Sequence, residues 1–302
     1  MNKTALSDRI SGPTYMILSC VIFAILWALI RHASATLHPF LLVFYRSLFG
    51  VLVLAPFFLK DAGSKLRSGS HKLYIIRGIT GLVATYGTFY AVANIPLADA
   101  VAISYGAPIF AAVGAIFFLD EKIRARRFLA LGIGFIGMLL LIRPGFEAFD
   151  PGYMAALIAS IFIGASLIVI KKLSASDKPE VVVFYSLIYI FPISFVVALF
   201  YWQWPTPVEW GLLILIGALV SLAHILLVRA FSKSETTEVL PLDFVRLLLA
   251  TLFGVVLFGE AVDLLTLVGA AIILGSTVYT AHREAIYRKR KRLFKETDSE
   301  QS

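Results

Sequence analysis

The chain has 302 residues, of which 59% are hydrophobic and only 15% carry a charge. A soluble domain of this size is roughly half apolar and about a quarter charged. These proportions exclude a soluble enzyme, a nucleic-acid-binding domain and a disordered protein, and the net charge of +8 sits mostly in loops and a basic tail.

The apolar excess falls into ten stretches, at 13–30, 39–59, 73–93, 98–119, 127–143, 152–170, 179–202, 209–231, 237–258 and 263–281. Each is long enough to cross a hydrocarbon core of roughly 30 Å as a helix. The expected fold class is an all-α polytopic membrane protein with ten transmembrane helices. With a cytoplasmic N-terminus, 22 Lys and Arg fall on the inside and only Arg31 and Arg143 on the outside. Under the positive-inside rule both termini are cytoplasmic. Ala33-Ser34-Ala35 imitates a signal-peptidase site, but the apolar run is long for a signal peptide, and Arg31 and His32 intervene. Lys3 and Arg9 are therefore expected to hold an uncleaved first span.

An internal repeat organises these spans. Residues 39–45 read PFLLVFY and residues 179–185 read PEVVVFY, an offset of 140. Gly12–Met16 resembles Asp150–Met154 at an offset of 138, and Ala98–Glu121 matches Thr237–Glu260 at an offset of 139. Two five-span copies are expected, 13–143 and 151–281, followed by a basic cytoplasmic tail, 282–302. Five is odd, so the second copy is inverted in the membrane, a design that recurs in secondary transporters.

The stretch RGITGLVATYGTFYAVANIPLADAVAISYGAPIFAAVGAIFFLDEK, followed by RRFLALGIGFIGMLLLIRPG, resembles the first half of an EamA-type drug/metabolite transporter. AFSKSETTEVLPLDFVRLLLATLFGVVLFGE is similar to the second half. The resemblance implies a ten-helix bundle in a bacterial cytoplasmic (inner) membrane. It also implies a central cavity lined by helices 1–4 and 6–9, with helices 5 and 10 as supports. Its substrates range over amino acids, drugs, vitamins and S-adenosylmethionine.

In chain order, span 1 holds the single cysteine, Cys20, which reads as a small packing residue, and the pair Phe23/Trp27. Span 2 carries Arg46 and span 3 carries Arg77, with Tyr86/Tyr90 at helical spacing and Asn94 forming a turn with Pro96. Asp99 opens span 4 as a cap. Pro108 frees the carbonyl of Ser104 beside Tyr105 and Gly106, either a bare kink or a hinge facing the pathway. Ala107/Ala111/Ala115, Gly217/Ser221 and Ala250/Gly254 recur every four residues, which brings helices together in lipid. Gly132, Gly134 and Gly137 on span 5 offer either tight packing or a dimer face, so the chain is a monomer or a homodimer. Glu121 and Glu260 stand at matching positions, each complementing the positive end of the following helix. Span 7 carries Tyr185/Tyr189 and a second kink or hinge at Pro192; Trp202, Trp204 and Trp210 read as an interfacial belt. His224 in span 8 is a hydrogen-bonded packing residue or a proton-responsive cavity ligand.

Asp243 and Arg246 on span 9 share a helix face, three positions apart. An intramembrane arginine should face protein or a wet cavity. By the repeat offsets, Arg246 corresponds to Ala107, Asp243 to Ser104 and Arg46 to Ser186, so the charges belong to one half only. Two readings stand: a structural ion pair, or Arg246 as counter-charge for an anionic group on a substrate. The expected substrate-binding set is Arg246, Asp243, Trp27, Tyr86, Tyr105, Tyr189, Arg46 and His224.

No catalytic motif, P-loop, metal-ligand spacing or ATPase domain is present in the sequence, so no cofactor, metal or ATPase subunit is expected. The expected partners are a small-molecule substrate and the lipid bilayer, with no nucleic acid. The expected function is a gradient-driven secondary transporter moving a small organic metabolite (an amino acid, a vitamin or flavin, or an S-adenosylmethionine-like solute) by alternating access. A drug exporter of the same fold is the alternative, ahead of a membrane enzyme or receptor.

Overall fold

The computed structural model describes residues 11–59, 71–107, 109–111, 125–142, 150–173, 177, 179–233, 240–261, 263–276, 278–279 and 282. Among these residues there are ten α-helices: α1 (Gly12–Ala33), α2 (Pro39–Leu59), α3 (His71–Asn94), α4 (Leu97–Ser104), α5 (Ala125–Ile142), α6 (Pro151–Leu173), α7 (Pro179–Ala198), α8 (Pro207–Lys233), α9 (Phe244–Phe258) and α10 (Leu264–Ser276). Six of them, α1, α2, α3, α6, α7 and α8, are long and apolar enough to cross a membrane.

Local chemistry fixes many of the starts. Helices α2, α6, α7 and α8 each open on a proline, where the missing N–H costs nothing and the fixed φ is already helical. Ser11 caps α1 by accepting from the Thr14 N–H. Helix α9 ends on Gly259, at φ 66°, the left-handed turn that a residue without Cβ adopts freely.

Spans 4 and 9 depart from the uninterrupted helices that their apolar runs suggested. Helix α4 stops at Ser104, turns at Tyr105 and Gly106, and resumes at Ala107. A 3-10 turn, Leu240–Asp243, runs directly into α9. The two irregularities stand at equivalent places in the repeat, since Ser104 and Asp243 are 139 residues apart. The helical pattern of apolar residues passes through both, so hydropathy alone does not register them.

Packing follows the repeat. Helix α3 lies along α6 as α8 lies along α1; α7 meets α3 as α2 meets α8; α4 meets α6 as α9 meets α1. Exchanging the two halves reproduces each contact, and most helices pack chiefly on the opposite half. Gly78 of α3 faces Tyr189 of α7, and its equivalent Gly217 of α8 faces Phe49 and the backbone of Gly50 in α2. Lipid tails supply no hydrophobic drive between helices, so this close backbone approach is what holds the bundle. Leu129, Val256 and Leu264 are 64%, 68% and 71% exposed, as residues facing acyl chains should be.

Two local expectations are corrected, for Glu260 and Asp99, while the tight-packing reading of span 5 holds at Gly134 and Gly137. Glu260 does not serve the helix that follows it: its Oε2 accepts from the Leu97 N–H that opens α4, at 2.7 Å, and its Oε1 pairs with Arg31 at 3.2 Å. Gly259 turns the chain so that Glu260 meets α4 across the bundle. Pro96, not Asp99, stands at the cap of α4; Asp99 is buried in the first turn and accepts from Tyr153 of α6 and Thr266 of α10 at 2.7 and 2.8 Å. Gly134 and Gly137 of α5 are occupied within the chain, by Ser276 and Ile109 and by Ile272 and Gly269 respectively. Glu121 and Ala115 lie outside the described residues.

Candidate functional site

The two irregular helices meet, and a charged cage forms where they do. Asp243 ends the 3-10 turn without capping α9. Its carboxylate turns instead to Arg246 one turn on, with Oδ2 2.5 Å from Nη2. The turn after α4 brings Tyr105 across: its hydroxyl donates to the Asp243 main-chain oxygen at 2.6 Å and accepts from Arg246 Nε at 3.4 Å. Helix α1 closes the other side. Cys20, Phe23 and Trp27 recur at helical spacing on one of its faces. The Cys20 thiol lies 3.6 Å from Asp243 Oδ1, and the Arg246 guanidinium carbon is 5.2 Å from the Phe23 and Trp27 ring centroids and 5.4 Å from that of Tyr105.

This cage answers the cost of an arginine within a span, ~2.5–3.5 kcal/mol on insertion scales. One carboxylate and three ring faces within about 6 Å replace the lost hydration. The pair is not sealed: the Arg246 and Asp243 side chains remain 16% and 18% exposed. Nε and Nη2 are engaged, and among the described residues Nη1 meets no acceptor. A planar cation with a spare donor edge, walled by aromatic faces, suits an oxyanion carried on a flat organic body.

Of the expected residues, Arg246, Asp243, Tyr105 and Trp27 come together here, and His224 of α8 stands one ring away. Its Nδ1 is 2.9 Å from Val220 O, which places the proton on that nitrogen, and the ring meets Phe23 edge-on at 5.1 Å. Arg46 lies further along the interior: it donates from Nη1 to Thr85 Oγ1 at 3.0 Å and stands over Phe89 at 5.6 Å. Tyr86 packs edge-on against Phe40 at 4.7 Å, beside Tyr90 and Tyr201 in a separate aromatic group. Tyr189 belongs to a third group with Tyr74 and Tyr185, its hydroxyl 3.2 Å from His71 Nδ1. Pro192 is on the exposed face of α7, and Pro108 lies outside the described residues.

Sequence reasoning passed over Phe23, Cys20 and Arg77 as site residues. The signal for the first two was the spacing of Cys20, Phe23 and Trp27 along one face. Among the described residues no three His, Cys, Asp or Glu side chains gather as a metal site.

Comparison with known proteins gives the context. The S-adenosylmethionine uptake transporter of Rickettsia felis is 29% identical over 287 residues, covering 95% of this chain and 98% of its own. The pseudopaline exporter CntI of Pseudomonas aeruginosa is 29% identical over 268 residues, with 87% and 93% covered. The riboflavin transporter of Vibrio cholerae is 27% identical over 289 residues, with 94% and 97% covered. A solved crystal structure superposes with a TM-score of 0.60 at 23% identity, over 89% of this chain and 98% of that one, which shows a shared fold. Residues 10–143 and again 150–281 match the EamA-like transporter family. With two tandem matches spanning nearly the whole sequence, this chain belongs to that family and is a multi-pass membrane transporter of small molecules rather than an enzyme.

Proposed function

We propose that the chain moves a small organic metabolite carrying both a flat ring system and an acidic group, with Arg246 as the counter-charge for the acid. One observation carries this reading: a partly exposed guanidinium, held by a single carboxylate, lies among the faces of Phe23, Trp27 and Tyr105 with one edge unspent. An incoming acid takes that edge while Asp243 holds the other, and Trp27 and Tyr105 flank the ring. Relatives named for S-adenosylmethionine and riboflavin support the class, because both solutes contain planar heterocycles and the first a carboxylate.

The cycle we infer is alternating access across the cytoplasmic membrane, driven by a gradient, with both termini cytoplasmic. The exchange symmetry of the helix contacts supports it: inverted halves that pack mainly on each other have a second arrangement in which they swap roles. Purified protein in proteoliposomes tests the substrate class by competition. Flat carboxylates should inhibit uptake of the accepted solute, and their primary amides should not. Equal inhibition by acid and amide would refute the class.

A further inference from the structure

Arg46 and Arg77 form a second cationic cluster that the Arg246 cage does not use. Both lie against the same stretch of α3. Arg77 sends Nη1 forward along its own helix to Gly81 and donates to Ser166 Oγ of α6 at 2.8 Å; Thr80 Oγ1 stands 3.1 Å from the same hydroxyl. Arg46 reaches across from α2 to Thr85, whose own hydroxyl donates to Gly81 O at 2.8 Å. The two guanidiniums therefore meet α3 one turn apart, Arg77 at Gly81 and Arg46 at Thr85.

Their partners are the anomaly. Arg46 is 8% exposed, the Nε atoms of both arginines are buried without an acceptor, and what hydrogen bonds they make go to neutral hydroxyls. Among the described residues neither meets a carboxylate, and the one acid of the neighbouring cage, Asp243, is taken by Arg246. Hydroxyl groups orient a guanidinium but do not cancel its charge. The interior thus holds two like charges one turn of α3 apart, met by hydroxyls and by the Phe89 ring but, among the described residues, by no carboxylate.

We propose that Arg46 and Arg77, with Thr80, Thr85 and Ser166 as hydroxyl partners, are an oxyanion subsite of the carboxylate or phosphate class, distinct from Arg246. The anion is either a second acidic group on the transported solute, which would make that solute a diacid bridging both clusters, or a free inorganic anion bound beside it. The first source rests on the Arg246 reading above; the subsite itself does not.

The test is thermal unfolding of the purified full-length protein, titrated with inorganic phosphate at constant ionic strength with chloride as the balancing ion. The wild type should show a saturable rise in Tm. Arg46→Gln and Arg77→Gln should abolish that rise or raise its midpoint by at least about tenfold, while Arg246→Ala keeps it. Without phosphate, Arg46→Gln should melt no lower than the wild type, since it removes an uncompensated charge; Arg46→Lys retains the charge without the fork and should respond weakly. The inference is overturned by any of three results: no saturable rise, a rise that survives both glutamine variants, or a rise lost in Arg246→Ala alone. A marked drop in the phosphate-free Tm of Arg46→Gln would likewise overturn it. Terephthalate and benzoate then separate the sources. An advantage of the diacid that needs both Arg246 and Arg46 assigns the anion to the solute, and additive effects of benzoate and phosphate assign it to a free ion. Normal transport by Arg246→Ala, with the phosphate response still lost in Arg46→Gln, would refute the Arg246 reading and leave this subsite standing.

Discussion

The Tyr105 hydroxyl donates to the main-chain oxygen of Asp243 at 2.6 Å, tying the break after α4 to the 3-10 turn before α9. These are equivalent points of the two inverted halves, and this bond joins their irregular segments beside Arg246. Tyr105→Phe keeps the ring over the guanidinium and removes only the hydroxyl. The expected loss is about 0.5–1.5 kcal/mol of stability, with normal membrane insertion and a severalfold fall in uptake per folded molecule. Uptake at the wild-type rate would show that the tie has no part in the cycle.

Gly217→Leu should reduce the yield of folded protein. A Cβ at that position would stand 3.0 Å from the Phe49 carbonyl carbon and 3.1 Å from the Gly50 nitrogen, backbone atoms that cannot step aside. Overpacking of this kind costs typically about 1–3 kcal/mol. Gly132→Leu is the matched control, because nothing lies within 4 Å of its Cβ direction. Fluorescence-detected size exclusion of the two variants compares them directly, and equal yields would mean that α2 and α8 are not in contact.

Cys20, the sole cysteine, reports on the cage. It is buried against Asp243, so N-ethylmaleimide should label it slowly and only when the bundle opens. A bound substrate should slow labelling further, and Arg246→Ala should hasten it by loosening Asp243. Mass spectrometry of the intact protein follows the reaction. Labelling unaffected by either would place Cys20 away from the site.

His38 gives a pH signature outside the spans. It stacks on Tyr201 with ring centroids 3.9 Å apart, and partial burial lowers its pKa below the ordinary histidine value. A group that resists protonation in the folded state contributes stability above its unfolded pKa and loses it as pH falls below that value. Tm should therefore decline on acidification below the usual histidine range, and His38→Gln should flatten that part of the curve. An unchanged curve in the variant would assign the acid sensitivity elsewhere.

The sequence was informative where its signals are cumulative or local. Ten apolar runs, one-sided lysine and arginine, and three repeated segments establish the bundle because each sums over many residues. Asp243 and Arg246 were readable as a pair because three helical positions fix their separation. Contacts between the halves were not readable. That Glu260 meets Leu97 and Arg31, or that Tyr105 meets Asp243, depends on how two repeats dock, and no spacing along one chain segment encodes it. Tyr86 and Tyr189 illustrate the same limit: both are interior tyrosines at helical spacing, yet docking sends them to other aromatic groups.

In the proposed cycle Arg246 meets the acidic group of the transported solute. Uptake by Arg246→Ala in proteoliposomes, normalised to folded protein and repeated with an analogue lacking the acid, tests it most directly. Losing a buried charged contact is worth about 2 kcal/mol or more, so uptake of the parent solute should fall at least about tenfold. Uptake of the neutral analogue should fall far less. Transport of the parent solute by Arg246→Ala at the wild-type rate, or equal loss of the acid and its neutral analogue, would contradict this role for Arg246.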